Sequence, residues 1–298
     1  MDYILQTNGL TKFFGKKAAV DRVSMHIAKG DIYGFIGKNG AGKTTTMKMV
    51  LGMLFPTAGT MELFGQKADN TARHRIGSLI EAPGLYPKCT AYENMKRFSI
   101  LYGGDDKAIK DILELVGLQN TGKKKAGAFS LGMKQRLGIA IALLGDPEFL
   151  VLDEPVNGLD PAGIKDVRDT MLRINQERGV TVLISSHLLG ELSKISTRYG
   201  IINNGVLVEE VTAKELESRF RQNMVIQCRE PQKAIGILQQ HFGVEAPELN
   251  GERITLYSAL DKAEEIITAL VQAGAGLYDL HVSEADMEDY FIERIGRS

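Results

Sequence analysis

The run Gly37-Lys38-Asn39-Gly40-Ala41-Gly42-Lys43-Thr44 constrains this chain more than any other part of it. It fits the pattern G-x-x-x-x-G-K-[ST] and falls between a short apolar run at 31–36 and a helical pattern over 43–54. That strand–loop–helix setting gives the residue types a common purpose. Glycines let backbone N–H groups turn inward as a nest for anions, and the following helix adds its partial positive end. Lys43 then reaches terminal phosphates, and the Thr44 hydroxyl is a hard ligand for Mg²⁺. A second feature fits the first: 148–154 reads Glu-Phe-Leu-Val-Leu-Asp-Glu, an apolar strand ending in two carboxylates. Beside a phosphate loop, Asp153 is placed to hold Mg²⁺ through water and Glu154 to polarise an attacking water.

The rest of the chain supplies the frame. Apolar runs at 149–152 and 181–185 read as buried strands separated by helical segments, the pattern of a largely parallel sheet covered on both faces. The first 30 residues read as short strands and turns, including an alternating stretch at 23–27, and 83–128 reads as mostly helical. The character changes near residue 218. Strands are predicted at 225–228, 253–257 and 277–282, and helices begin at Pro231 and near Leu260. A last helix capped by Ser283 would carry Met287, Tyr290, Phe291 and Ile295. The fold class expected is therefore α/β, with a domain over 1–218 and a small accessory α/β domain over 219–298.

With 36 Lys and Arg against 37 Asp and Glu, the net charge of -1 argues against a phosphate-neutralising nucleic-acid surface. Cys89 and Cys228 match no disulfide or zinc spacing and read as packing residues of a reducing compartment. No apolar run approaches the ~18 residues that a membrane helix needs. The first residues lack a signal-peptide pattern. These features predict a cytoplasmic chain. His26, His241 and His281 fit no metal spacing, and Lys123-Lys124-Lys125 reads as a solvated charge run.

Further motifs narrow the reading. Ser130-Leu131-Gly132-Met133 precedes the acidic strand and resembles the LSGGQ signature of ABC-type ATPases. Asn157-Gly158-Leu159-Asp160 resembles their D-loop, and Ser185-Ser186-His187 resembles their switch histidine. Phe14 stands where that family stacks an aromatic ring on adenine. The resemblance covers about 3–217, with the motifs in family order. It implies a P-loop NTPase of ABC type: a mostly parallel core sheet, an antiparallel β subdomain and a helical subdomain at about 83–140. It also implies that Phe14, the loop Gly37, Lys38, Asn39, Gly40, Ala41, Gly42, Lys43, Thr44 and Thr45, and Ser130, Gly132 and Asp160 contact ATP. Catalysis would rest on Lys43, Glu154 and His187, and Mg²⁺ on Thr44, Asp153 and Glu81.

Two departures from the family pattern stand out. Of its Ser-Gly-Gly-Gln only Ser130 and Gly132 remain, and its usual glutamine is here Glu81. The run Glu81-Ala82-Pro83-Gly84-Leu85-Tyr86-Pro87 is similar to ATPases of bacitracin-resistance and lantibiotic-immunity exporters. The resemblance implies a head-to-tail dimer of two copies, docked on the inner membrane face against a separately encoded permease, with no nucleic acid as partner. The alternatives are a soluble ABC ATPase acting on ribosomes or DNA, and a subunit exporting another small molecule, lipid or ion. The stretch between Thr44 and Ser130 is short and lacks sustained heptads, unlike the coiled-coil repair members.

Overall fold

The computed structural model describes residues 2–187, 189–219, 223–283 and 291, which form two units. The first holds the described residues up to Ala213 together with Phe291, and the second begins at Lys214.

The first unit opens with β1 (Tyr3–Phe14), β2 (Lys17–Val23), β3 (His26–Ala28) and β4 (Ile32–Ile36). The loop after β4 enters α1 (Lys43–Val50), followed by β5 (Ala58–Leu63), β6 (Gln66–Lys67), α2 (Asn70–Arg73) and β7 (Ile76–Leu79). A helical stretch follows with α3 (Ala91–Tyr102), α4 (Asp106–Leu115) and α5 (Leu131–Ala142). The chain then lays down β8 (Phe149–Asp153), α6 (Pro161–Arg178), β9 (Thr181–Ser186), α7 (Leu189–Leu192), β10 (Arg198–Asn203) and β11 (Val206–Thr212).

Two sheets result. One is antiparallel, ordered β2-β1-β5-β6 with β3 paired to β1. The other is ordered β11-β10-β4-β9-β8-β7, parallel except for the β11 edge. β4, β8 and β9 are buried along their whole length, which is why they read as unbroken apolar runs. Between the sheets, Met47, Met49 and Val50 of α1 pack with Leu5, Leu10 and Ile27 on one side and Phe35, Phe149 and Val151 on the other. A helix seated between two sheets cannot shift without opening both, so the loop at its start is rigidly held.

Several polar groups buried in this frame are paired. Glu210 of β11 accepts hydrogen bonds from the Tyr33 hydroxyl at 2.8 Å and the His26 N–H at 2.8 Å, and its second oxygen meets His26 Nδ1 at 2.9 Å. Burial, with Glu210 adding to it, pushes the Tyr33 phenol well above its ordinary range. The pairing gives His26 a structural partner. In the helical stretch, Thr90 caps α3 in a capping box with Glu93, which also pairs with Lys125 at 3.1 Å. Lys124 stands 5.8 Å from the centre of the Phe129 ring, so two lysines of the run have local partners.

The second unit starts within α8 (Ala213–Arg219) and continues β12 (Asn223–Cys228), α9 (Pro231–Phe242), β13 (Glu248–Asn250), β14 (Arg253–Leu256), α10 (Ala263–Gln272) and β15 (Leu277–Ser283). The sheet order β13-β14-β12-β15, all neighbours antiparallel, with this β-α-β-β-α-β sequence is a split βαβ arrangement. Met224, Ile226 and Cys228 on β12 pack beneath Ala234, Leu238, Ile266 and Leu270 of the two helices, giving this unit its own core.

Several predicted bounds shift. The strand expected over 23–27 is interrupted at Ser24 and Met25, where Met25 N–H donates to the Thr7 hydroxyl. The helix expected over 43–54 ends at Val50, because Gly52 takes φ +74° and turns the chain away. The predicted final helix lies outside the described residues except for Phe291, whose ring meets Tyr199 of β10 edge-on with centroids 6.2 Å apart.

Candidate active site

The ends of β4, β9 and β8 lie side by side. Ile36 pairs with Ser186, and Ser185 with Asp153, so the residues following all three strands emerge at one carboxyl edge. In open α/β sheets ligands collect at that edge. The loop from β4 to α1 closes tightly over it. A Cβ on Gly37 would come within 2.4 Å of the Ile202 carbonyl oxygen, and Gly42 sits at φ +109° with the Ala19 oxygen 2.6 Å from where a Cβ would stand. Only glycine fits at both places.

Lys43, buried to 5% exposure, donates from Nζ to the Gly37 and Lys38 carbonyls at 2.6 and 3.2 Å. Its remaining neighbour is Glu154, whose Oε1 lies 3.2 Å away, buried and without a well-aligned hydrogen bond. The other oxygen, Oε2, meets His187 Nδ1 at 2.7 Å. Glu154 adopts φ +49°, a left-handed conformation that a non-glycine residue holds only under restraint. That restraint is Ser185. Its hydroxyl accepts the Glu154 N–H at 2.9 Å and donates to Asp153 Oδ1 at 2.6 Å. Asp153 Oδ2 in turn accepts the Thr44 hydroxyl at 2.7 Å. One buried serine thus sets both carboxylates, a role that sequence motifs alone do not reveal.

Thr44 and Asp153 present two hard oxygen donors in contact beside a lysine-bearing anion loop. That donor chemistry fits Mg²⁺ sharing its shell with phosphate oxygens. Glu81 takes another arrangement from the one the resemblance implies. Its Oε1 accepts from Lys48 Nζ at 2.8 Å, and the ammonium holds its carboxyl below the ordinary glutamate range.

The other expected site residues form a second cluster. Ser130 caps α5 by accepting the Met133 N–H at 3.2 Å, which starts the helix at Leu131. Asp160 caps α6 by accepting the Gly163 N–H at 3.0 Å. The two helix starts touch, since a Cβ on Gly132 would lie 3.4 Å from Gly163 Cα. Ser130 and Asp160 are exposed, and their hydrogen bonds close within their own helix starts. Phe14 is 54% exposed, with Lys12 Nζ 5.4 Å from its ring centre and anchored on the Phe55 carbonyl at 2.7 Å. One ring face is backed by a cation, so the opposite face is the one to receive a base. Lys38, Asn39 and Gly40 are exposed at the loop tip, Ala41 is buried beneath it, and Thr45 is half-buried on α1.

Comparison with known proteins agrees with this geometry. The profile of the family described as "ABC transporter" matches residues 20–157. A bacitracin transport ATP-binding protein, BcrA of Bacillus licheniformis, is 43% identical over 99% of this chain and 98% of its own length. A lantibiotic transport ATP-binding protein, SrtF of Streptococcus pyogenes, is 40% identical over 76% of this chain and 100% of its own. A solved dimeric ATP-binding cassette in a post-hydrolysis state with ADP and Pi superposes with TM-score 0.61 at 23% identity, over 70% of this chain and 98% of that one. A phosphate lysine and two carboxylates meeting at one sheet edge, in a chain related end to end to transport ATPases, leave one conclusion: it belongs to the ABC transporter family, as an ATP-binding and ATP-hydrolysing subunit.

Proposed function

We propose that the chain powers export of a peptide antibiotic, of the bacitracin or lantibiotic kind, through a separately encoded membrane subunit. The observation that carries this reading is that likeness to the bacitracin relative runs through both units rather than the ATPase unit alone. On the chain's side, Lys43 and the nest of loop N–H groups bind the phosphates, and Phe14 stacks on the base. Mg²⁺, held by Thr44 and Asp153, would neutralise charge on the phosphate oxygens. Arrival of the terminal phosphate at Lys43 frees Glu154 from its ion pair. The carboxylate then accepts a proton from the attacking water while His187 fixes its orientation.

Within one copy Ser130 and Asp160 cap their own helices, which supports a complete site built from two copies. Ser130 and Gly132 of one would close on ATP held by Lys43 of the other, in a two-fold head-to-tail pair. ATP then stabilises the closed pair, and hydrolysis releases it. At the end of α3, Ile100, Leu101 and Tyr102 stand exposed at 82%, 75% and 56%. Leu101 and Tyr102 border a cavity of about 260 Å³ whose floor includes Ile76, Ile141 and Leu144. An apolar surface of this kind suits a cytoplasmic helix of the membrane subunit, which supports docking at the inner membrane face.

Two measurements test this. Glu154→Gln should elute as a dimer in gel filtration with Mg-ATP, and a monomer would overturn the composite site. Cells lacking the chain should tolerate less bacitracin or lantibiotic, with rescue by wild type and none by Lys43→Ala. Unchanged tolerance to both compounds would overturn the proposed cargo.

A further inference from the structure

We propose that Lys48 is a positioning residue, the counter-charge that makes a glutamate tolerable at position 81 by holding it off the phosphate site. The inference rests on the ATPase reading and concerns the electrostatics of that same site.

Lys48 lies four residues after Thr44 on α1, so both project from one helix face about one turn apart. Thr44 contacts Asp153 at the active edge, and Lys48 donates to Glu81 Oε1 at 2.8 Å. Asp153 and Glu154 already set two carboxylates against Thr44 and Lys43, where phosphates would bind. A third, uncompensated one would repel ATP. The pair is half in water, with side-chain exposures of 36% for Lys48 and 69% for Glu81, so its influence is screened by salt.

The backbone supports a deliberate placement. Glu81 adopts φ +64°, a left-handed conformation uncommon for a non-glycine residue. On one side Ile80 packs against the core that holds α1. On the other, Pro83 presses on α5, where a Cβ at Gly138 would come within 2.7 Å of the proline Cβ. The loop therefore runs from the phosphate helix to the helix that Ser130 starts. The Lys48–Glu81 bond is its charged attachment to the phosphate helix.

Lys48 also occupies the last turn of α1, where any cation favours the helix dipole, and this ordinary role must be separated from the proposed one. A double-mutant cycle does so. Equilibrium binding of a fluorescent ATP analogue is measured without divalent metal for wild type, Lys48→Met, Glu81→Gln and the double variant, at low and high salt. Lys48→Met should weaken binding about two- to fivefold at low salt, shrinking as salt rises. In the Glu81→Gln background the same substitution should change nothing, and Lys48→Arg should bind as wild type does. Thermal unfolding of each variant checks that it is folded. An equal loss in both backgrounds, or no loss in either, would overturn the proposal. A wild-type chain that binds no ATP analogue would sink the ATPase reading itself, and this inference with it.

Discussion

At the scale of single residues, the site is a chain of hydrogen bonds in which each member fixes the next. Ser185 is its least conspicuous link and serves both carboxylates, through Asp153 Oδ1 and the Glu154 N–H. Ser185→Ala leaves a buried acceptor and a buried donor unmatched, at a cost of about 1–3 kcal/mol. Urea unfolding should show that loss, and ATP turnover should fall further than nucleotide affinity does. Lys43→Ala has a different signature. It removes the phosphate ligand and leaves the buried Glu154 Oε1 without its cation, so ATP binding should vanish in calorimetry; retained affinity would refute its assignment. Lys43, Thr44, Asp153 and Glu154 were legible in the sequence because their chemistry demands particular residue types at particular spacings. Ser185 was legible only as the neighbour of a histidine, since a strand serine carries no signal until its partner strand is known. Lys48 was silent for the same reason.

At the scale of elements, β4, β8 and β9 announced themselves as apolar runs and β12, β14 and β15 of the second unit were also legible, whereas several strands of the first unit were not. β5, β7, β10 and β11 mix exposed and buried positions or contain glycine, and their pairing depends on distant segments. Gly77 shows why one such strand reads poorly. A Cβ there would stand 2.0 Å from the Ala142 carbonyl oxygen, so β7 and α5 approach backbone to backbone. Gly77→Ala should destabilise the first unit by about 1–3 kcal/mol, visible in its unfolding midpoint. The capping box of α3 carries a pH dependence. The Thr90 N–H, and after it Lys125, hold Glu93 below its ordinary value of 4.5. Its contribution is complete above that value and is lost as the pH falls through the lowered one. Glu93→Gln should lower stability at neutral pH and flatten that part of the acid limb, so that variant and wild type converge at low pH in urea unfolding.

At the scale of the whole molecule, the second unit has a core of its own, and the lantibiotic relative is matched in full by 76% of this chain. A chain of residues 1–222 should therefore still fold and bind ATP, checked by circular dichroism and nucleotide titration; loss of binding would make the second unit part of the ATPase. Phe291 belongs with the first unit, so the shortened chain should also show a loosened Tyr199 environment in its near-ultraviolet spectrum. The resting charge balance of the phosphate loop has a consequence of its own. Its lysine already holds an internal carboxylate 3.2 Å away, so a phosphate oxygen that reaches Lys43 has to displace Glu154 Oε1. Inorganic phosphate should therefore compete poorly with ATP for the loop, which displacement of a bound fluorescent ATP analogue by phosphate measures; displacement at equal concentrations would refute it.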